Sequence, residues 1–305
     1  MPIYLDRDLS SPRVDSAGHC IEIGLINNMP DAALRATEHQ FIRLLDSVAA
    51  GVAVRLLFYA LPDVPRAAAG RHHIGSFYSN IDTLWDRHLD AVIMTGCEPH
   101  ASNLQDEPYW ASMTRIIDWA EQNTHSAIWS CLAAHAVVLY RDGIARRRLN
   151  EKRSGIFPCD RIADHRLLAG VDAQISMPHS RWNDLPEDEL TARGYRVLTR
   201  CEQAGVDMFV KQSNSLFVFF QGHPEYDANT LLHEYHRDLK RYRQGQTQTQ
   251  PEMPQGRSNP NDRWRSAAQQ IYRNWLTYLS EQRQEPQRKG PERQPAALHS
   301  AAGAD

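Results

Sequence analysis

Four times in the first half of the chain a short, almost wholly apolar run breaks at a turn and a helical pattern follows. Ile21–Asn28 leads through Met29-Pro30-Asp31 into a periodic stretch with Leu34, Phe41, Leu44 and Leu45 on one face. Val52–Tyr59 is the second run and Leu89–Gly96 the third, with a helix expected over Tyr109–Gln122. The fourth runs into Cys131 and continues as a helix to Gly143, a usual helix stop. Runs of this length bounded by turn formers fit strands buried on both faces. Strand, crossover helix and strand in one sheet give parallel pairing. An α/β fold with a mostly parallel central sheet is therefore predicted, and such sheets carry their reactive groups at the carboxyl ends of the strands.

The fourth turn is the most informative. In Ala127–Tyr140 a polar turn holding one cysteine separates an apolar strand end from the helix. A cysteine so placed stands at the carboxyl edge of the sheet, where helix amides and the positive end of the helix dipole favour the reactive thiolate. An apolar run with one cysteine is also ordinary core, so a second element has to decide.

That element is Gly222-His223-Pro224-Glu225-Tyr226-Asp227, where the buried run Leu216–Gly222 gives way to a helix over 228–243. In a parallel sheet this turn falls on the same edge as Cys131. An imidazole there can take the thiol proton, and a carboxylate two residues on can orient the ring. His135, one helical turn after Cys131, competes as base with the lesser claim, because a core role is commoner at such a position. His233 and His236 lack an accompanying metal-ligand motif and read as exposed helical residues, so no metal site is expected. Gly96 and Cys97, ending the third run, and the amide of Leu132 are candidate oxyanion donors. Glu151-Lys152-Arg153 and Pro178-His179-Ser180-Arg181 bring basic and hydroxyl groups that suit a carboxylate-bearing substrate. The region 150–207 around them reads as shorter strands and turns, Met208–Lys211 and Leu216–Gly222 as a hairpin-like pair, and Trp264–Leu279 as a final amphipathic helix.

With 34 basic and 37 acidic residues the charge is near balance, which leaves no excess to hold nucleic acid or an anionic membrane and points to small-molecule substrates. Five cysteines without CxxC spacing predict neither a disulfide framework nor a zinc knuckle. No run is long and apolar enough to span a bilayer, and residues 1–18 lack the apolar core of a signal peptide. The expectation is a cytoplasmic protein: an extension over 1–18, one domain over 19–280, and a tail over 281–305 too poor in large apolar residues to order itself.

Asn28-Met29-Pro30, Glu38-His39-Gln40-Phe41, Thr95-Gly96, Tyr109-Trp110, Cys131, Glu151–Gly155, Pro178–Arg181, Gly222–Asp227 and Trp264-Arg265 occur together in this order. From about residue 20 to 280 the chain resembles the homoserine O-succinyltransferase/O-acetyltransferase family. That resemblance implies a flavodoxin-like, class I glutamine amidotransferase-like three-layer sandwich and a homodimer. It further implies Cys131 as acyl-thioester nucleophile, His223 as general base and Glu225 as its partner. Lys152, Ser180, Arg181 and Arg237 fall at substrate-binding positions and His100 at the acyl-selectivity position. The family's lysines after Met-Pro are absent from Asp31–Arg35, where Arg35 is the only cation, and a glutamine usual on the nucleophile helix is replaced by His135.

A histidine at position 100 can pair with the free carboxylate of a succinyl group, so the expected reaction is ping-pong succinyl transfer from succinyl-CoA to L-homoserine, with no bound cofactor. Acetyl transfer from acetyl-CoA, serine as acceptor, glutamine hydrolysis and an idle amidotransferase-like binding protein are the alternatives.

Overall fold

A computed structural model describes residues 3–5, 20–256 and 263–284. In chain order its elements are β1 (Ile3–Leu5), β2 (Cys20–Ile26), α1 (Asp31–Val48), β3 (Ala53–Tyr59), α2 (Ala68–Phe77), β4 (Ala91–Met94), α3 (Trp110–Asn123), β5 (Ser126–Ser130) and α4 (Leu132–Asp142). There follow β6 (Arg147–Arg161), β7 (Gln174–Asp184), α5 (Glu187–Ala192), β8 (Arg196–Cys201), β9 (Gly205–Gln212), β10 (Leu216–Phe220), α6 (Thr230–Arg243) and α7 (Arg263–Gln284). All ten strands form one sheet in the order β1-β3-β2-β4-β5-β10-β9-β8-β6-β7. The strands from β1 to β10 in that order run parallel, and β9, β8, β6 and β7 add antiparallel pairs.

Side-chain alternation along the strands sends residues to two cores. Ile128 of β5 packs with Leu34, Phe41 and Leu45 of α1 and with Ile271, Trp275 and Leu279 of α7. Its neighbours Ala127 and Trp129 face the opposite way, onto Ile116 and Ile117 of α3 and Val137 and Val138 of α4. Helices therefore cover both faces of the sheet, giving the predicted three layers. No helix among the described residues is long and apolar enough to cross a membrane.

Several sequence expectations change. The loosely patterned region holds two long strands, β6 and β7, paired over Arg153↔Arg181 to Asp160↔Gln174. Strand β6 opens on charged residues and alternates in burial only from Gly155, and the buried positions of β7 include His179 and Arg181, so the period of two is hidden in the sequence. After β3 the first helix is α2, set in a polar stretch between the second and third apolar runs, and α7 extends past Leu279 to Gln284. The expected extension lies outside the described residues except for β1, as does the tail after Gln284. The cysteine reading also changes, because Cys159 and Cys201 form a disulfide. They face each other across the antiparallel β6–β8 pair, a proximity that strand register creates and that a separation of 42 residues conceals.

Beneath the Gly222 turn the packing is tight. A Cβ on Gly222 would lie 2.4 Å from Met177 Cγ, 2.5 Å from Asp207 Oδ1 and 3.0 Å from the Pro178 carbonyl. Gly222→Ala is expected to destabilise the protein by about 1–3 kcal/mol through overpacking, read as a lowered urea midpoint in equilibrium unfolding.

Candidate active site

Strand β10 pairs with β5 in parallel register, Phe220 opposite Ser130, so both chains leave the sheet at one edge. A hydrogen bond of 2.7 Å from the Cys131 amide to the Phe220 carbonyl ties the two exits together. Cys131 itself has φ 52° and ψ −110° and is the only non-glycine with positive φ among the described residues. A strained conformation of this kind costs about 1–3 kcal/mol and persists only where the surroundings enforce it. Here β5 stops at Ser130 and α4 begins at Leu132, so one residue makes the whole turn. Gly96 makes this possible on the neighbouring strand end, since a Cβ there would stand 3.1 Å from the Leu132 amide nitrogen.

On the second turn, His223 and Glu225 are both buried, and Nδ1 of the ring lies 2.9 Å from Glu225 Oε1. The ring stacks on Tyr226 with centroids 4.2 Å apart, which fixes its plane. Burial pulls the His223 pKa down, but the Glu225 carboxylate and the facing Cys131 outweigh it and hold the imidazole well above the usual histidine range. The His223 amide donates to the Pro178 carbonyl and the Gln221 amide to the Asp207 carbonyl, both at 2.8 Å, so β7 and β9 buttress the turn from below. Burial pushes the pocket's second thiol, Cys97, up to about 12, so it stays protonated.

Cys131 and His223 open into a pocket of about 430 Å³, which Gly96, Cys97, Lys152, Ser180 and Arg237 also line. Lys152 Nζ lies 2.7 Å from Asp238 and 3.8 Å from Glu234, and Arg237 pairs with Asp238 at 3.0 Å. Glu234 in turn accepts from Ser180 Oγ and from Tyr226 OH. A segment around Thr247–Gln255 lines the pocket as well, with Gln255 bonded through both its amide and its carbonyl to the backbone of β6.

The structure separates other sequence candidates from the pocket. Arg181 is buried and turned to the other face of β7, where it bonds to the carbonyls of Asn183 and Ala204 and to Asp184. His100 is exposed and lies outside the lining, whereas Glu98 is part of it. His135 is buried against Gln221 at 2.9 Å, and burial pushes it down to about 3, so it is neutral. His233 and His236 are exposed on α6. Asp31–Arg35 forms the first turns of α1 with Arg35 exposed, and the buried cation beneath Met29-Pro30 is Arg66, which bonds to the Met29 and Asn27 carbonyls and to Asp31.

Sequence reasoning missed Glu234, Asp238 and Arg241. They share one face of α6 with Arg237, at spacings of three, four and seven residues from Glu234, and this periodicity is legible in the sequence.

The arrangement places a thiol, an imidazole oriented by a carboxylate, and a wall of cations and hydroxyls around one pocket, a set suited to acyl transfer through a thioester. Among solved structures the fold is similar to a glutamine amidotransferase from Thermotoga maritima, with a TM-score of 0.55 at 13% identity over 87% of this chain and 100% of that one. It is likewise similar to a glutamine amidotransferase from Methylobacillus flagellatus, with a TM-score of 0.52 at 14% identity over 86% of this chain and 96% of that one. At the level of sequence, a homoserine O-succinyltransferase of Rhodopseudomonas palustris is 53% identical over 253 residues, covering 83% of this chain and 76% of the relative. One of Methylorubrum extorquens is 49% identical over 235 residues, covering 77% and 70%. The family model for homoserine O-succinyltransferase matches residues 11–286, and the chain belongs to that family.

Proposed function

We propose that the chain is a homoserine O-succinyltransferase, moving the succinyl group of succinyl-CoA to the hydroxyl of L-homoserine through a thioester on Cys131, a step of methionine synthesis. The observation that carries this reading is the meeting, at one sheet edge, of the strained Cys131 turn with the buried His223–Glu225 pair.

The proton cycle closes on these groups alone. Held protonated, His223 is the counter-charge of a Cys131 thiolate, which attacks the thioester carbonyl. The oxyanion is met by backbone amides at Leu132 and at the Gly96–Cys97 turn. As the tetrahedral intermediate collapses, His223 gives its proton to the departing CoA sulfur and becomes a neutral base. It then removes the homoserine hydroxyl proton as that oxygen attacks the acyl-cysteine, and Cys131 leaves as thiolate beside a restored imidazolium. Glu225 positions the ring in both halves. Lys152, Ser180 and Arg237 hold the amino acid, with Arg237 facing its carboxylate and Glu234 and Asp238 its ammonium group. Arg181, turned into the core, serves this wall by fixing β7. The same reading makes the enzyme a cytoplasmic homodimer.

Comparing succinyl-CoA with acetyl-CoA, and homoserine with serine, in steady-state kinetics tests the assignment; the highest kcat/KM is expected for the succinyl-CoA and homoserine pair, and a preference for acetyl-CoA would sink it. Cys131→Ala should abolish the acyl adduct that intact-mass spectrometry detects after incubation with succinyl-CoA alone. Glu225→Gln should slow acylation about 10- to 100-fold. Its pH profile should also move. The His223 imidazolium exists below its raised pKa and is lost as pH rises through it; without the Glu225 charge that pKa falls, so the basic limb of single-turnover acylation shifts to lower pH.

A further inference from the structure

On α6, Arg241 stands one turn beyond Arg237 and lines the same pocket. Its guanidinium holds Glu98 in a two-pronged grip, Nη1 to Oε1 at 2.6 Å and Nη2 to Oε2 at 3.1 Å. This is the geometry with which arginine recognises any carboxylate. Both side chains are part-exposed, 33% for Arg241 and 43% for Glu98, so breaking the pair leaves neither charge stranded in a dry interior. Glu98 follows Gly96 by two residues, and Gly96 packs against the Leu132 amide beside the nucleophile. The carboxylate that Arg241 now grips is thus carried on the same turn that borders the reacting carbonyl.

We propose that Arg241 receives the distal carboxylate of the acyl group on Cys131, and that Glu98 fills that place until the acyl chain arrives. This rests on the acyltransferase reading above and names its selectivity element. Two carboxylates, one from the amino acid and one from the acyl chain, must share the pocket in the second half-reaction. Helix α6 offers two guanidiniums one turn apart, each gripping a protein carboxylate, Asp238 for Arg237 and Glu98 for Arg241. Lys152, the third cation of that wall, is already engaged by Asp238 and Glu234 beside Ser180. A fourth cation of the lining, Arg148, is stacked over the Trp182 ring at 4.2 Å, and His100, the position expected to read the acyl group, is exposed outside the lining, which leaves Arg241, paired with the Glu98 turn, as the cation on the acyl side.

The test is the rate constant for acylation of Cys131 by succinyl-CoA against that by butyryl-CoA, which has the same chain length and no carboxylate, followed by intact-mass spectrometry on the full chain. Arg241→Ala is expected to lower the succinyl-to-butyryl ratio about 10- to 100-fold, the range for one lost charge-assisted pair. Arg241→Lys, which keeps the charge without the fork, should retain part of the preference. Glu98→Gln, which removes the internal competitor, should raise the ratio. A role as a simple latch between α6 and the Glu98 turn predicts instead that Arg241→Ala and Glu98→Gln slow both donors by a common factor with the ratio unaltered, and that result overturns the assignment of Arg241. A wild-type chain acylated by neither donor overturns the acyltransferase reading itself, so the two failures are distinguishable.

Discussion

The parallel pairing of β5 with β10 is the constraint on which the site depends. Because Ser130 lies opposite Phe220, the two chains turn out of the sheet side by side, and the Cys131 amide closes the last bond of the ladder on the Phe220 carbonyl. A slip of one residue in β10 would exchange its two faces. It would move Phe217 and Phe219 from the α3–α4 core to the opposite one, so the packing of both cores enforces the register that brings thiol and imidazole together.

The antiparallel half of the sheet serves a different end. Strands β7 and β9 run beneath the His223 turn and accept its backbone amides through Pro178 and Asp207. The fully buried His179 and Asp207 side chains, 3.4 Å apart, fill the space below, and only a glycine fits above them. Strand β6 carries Lys152 toward the pocket and anchors the lining segment around Gln255, while β7 presents Ser180 inward and Arg181 away. The parallel half therefore brings the Cys131 thiol and the His223 imidazole together, and the antiparallel half supports the His223 turn and supplies part of the pocket lining.

How much of this was legible in the sequence follows from how each element buries itself. Wholly apolar runs such as Leu216–Phe220 announce strands, and the turns that end them announced Cys131, His223 and Glu225. Strand β6 opens on exposed charged residues, and β7 places His179 and Arg181 at buried positions, so neither shows an apolar period of two in the sequence. Adjacency in a motif also misleads on a strand: Ser180 and Arg181 were read together, yet successive side chains leave by opposite faces. The charged face of α6 was passed over because a polar helix reads as a solvated one, although the spacing from Glu234 to Arg241 marks it. The Cys159–Cys201 bond depends on which strands become neighbours, which spacing along the chain does not encode.

Cys131 has one more implication. Its left-handed backbone is the conformation that glycine adopts freely and a side chain resists. Glycine would relax this turn, so a search for more robust sequences on this scaffold would drift toward removing the thiol first. On the mechanism proposed above, thermal robustness and chemistry are in opposition at this single residue, and gains in durability have to come from parts of the molecule that do not touch that turn.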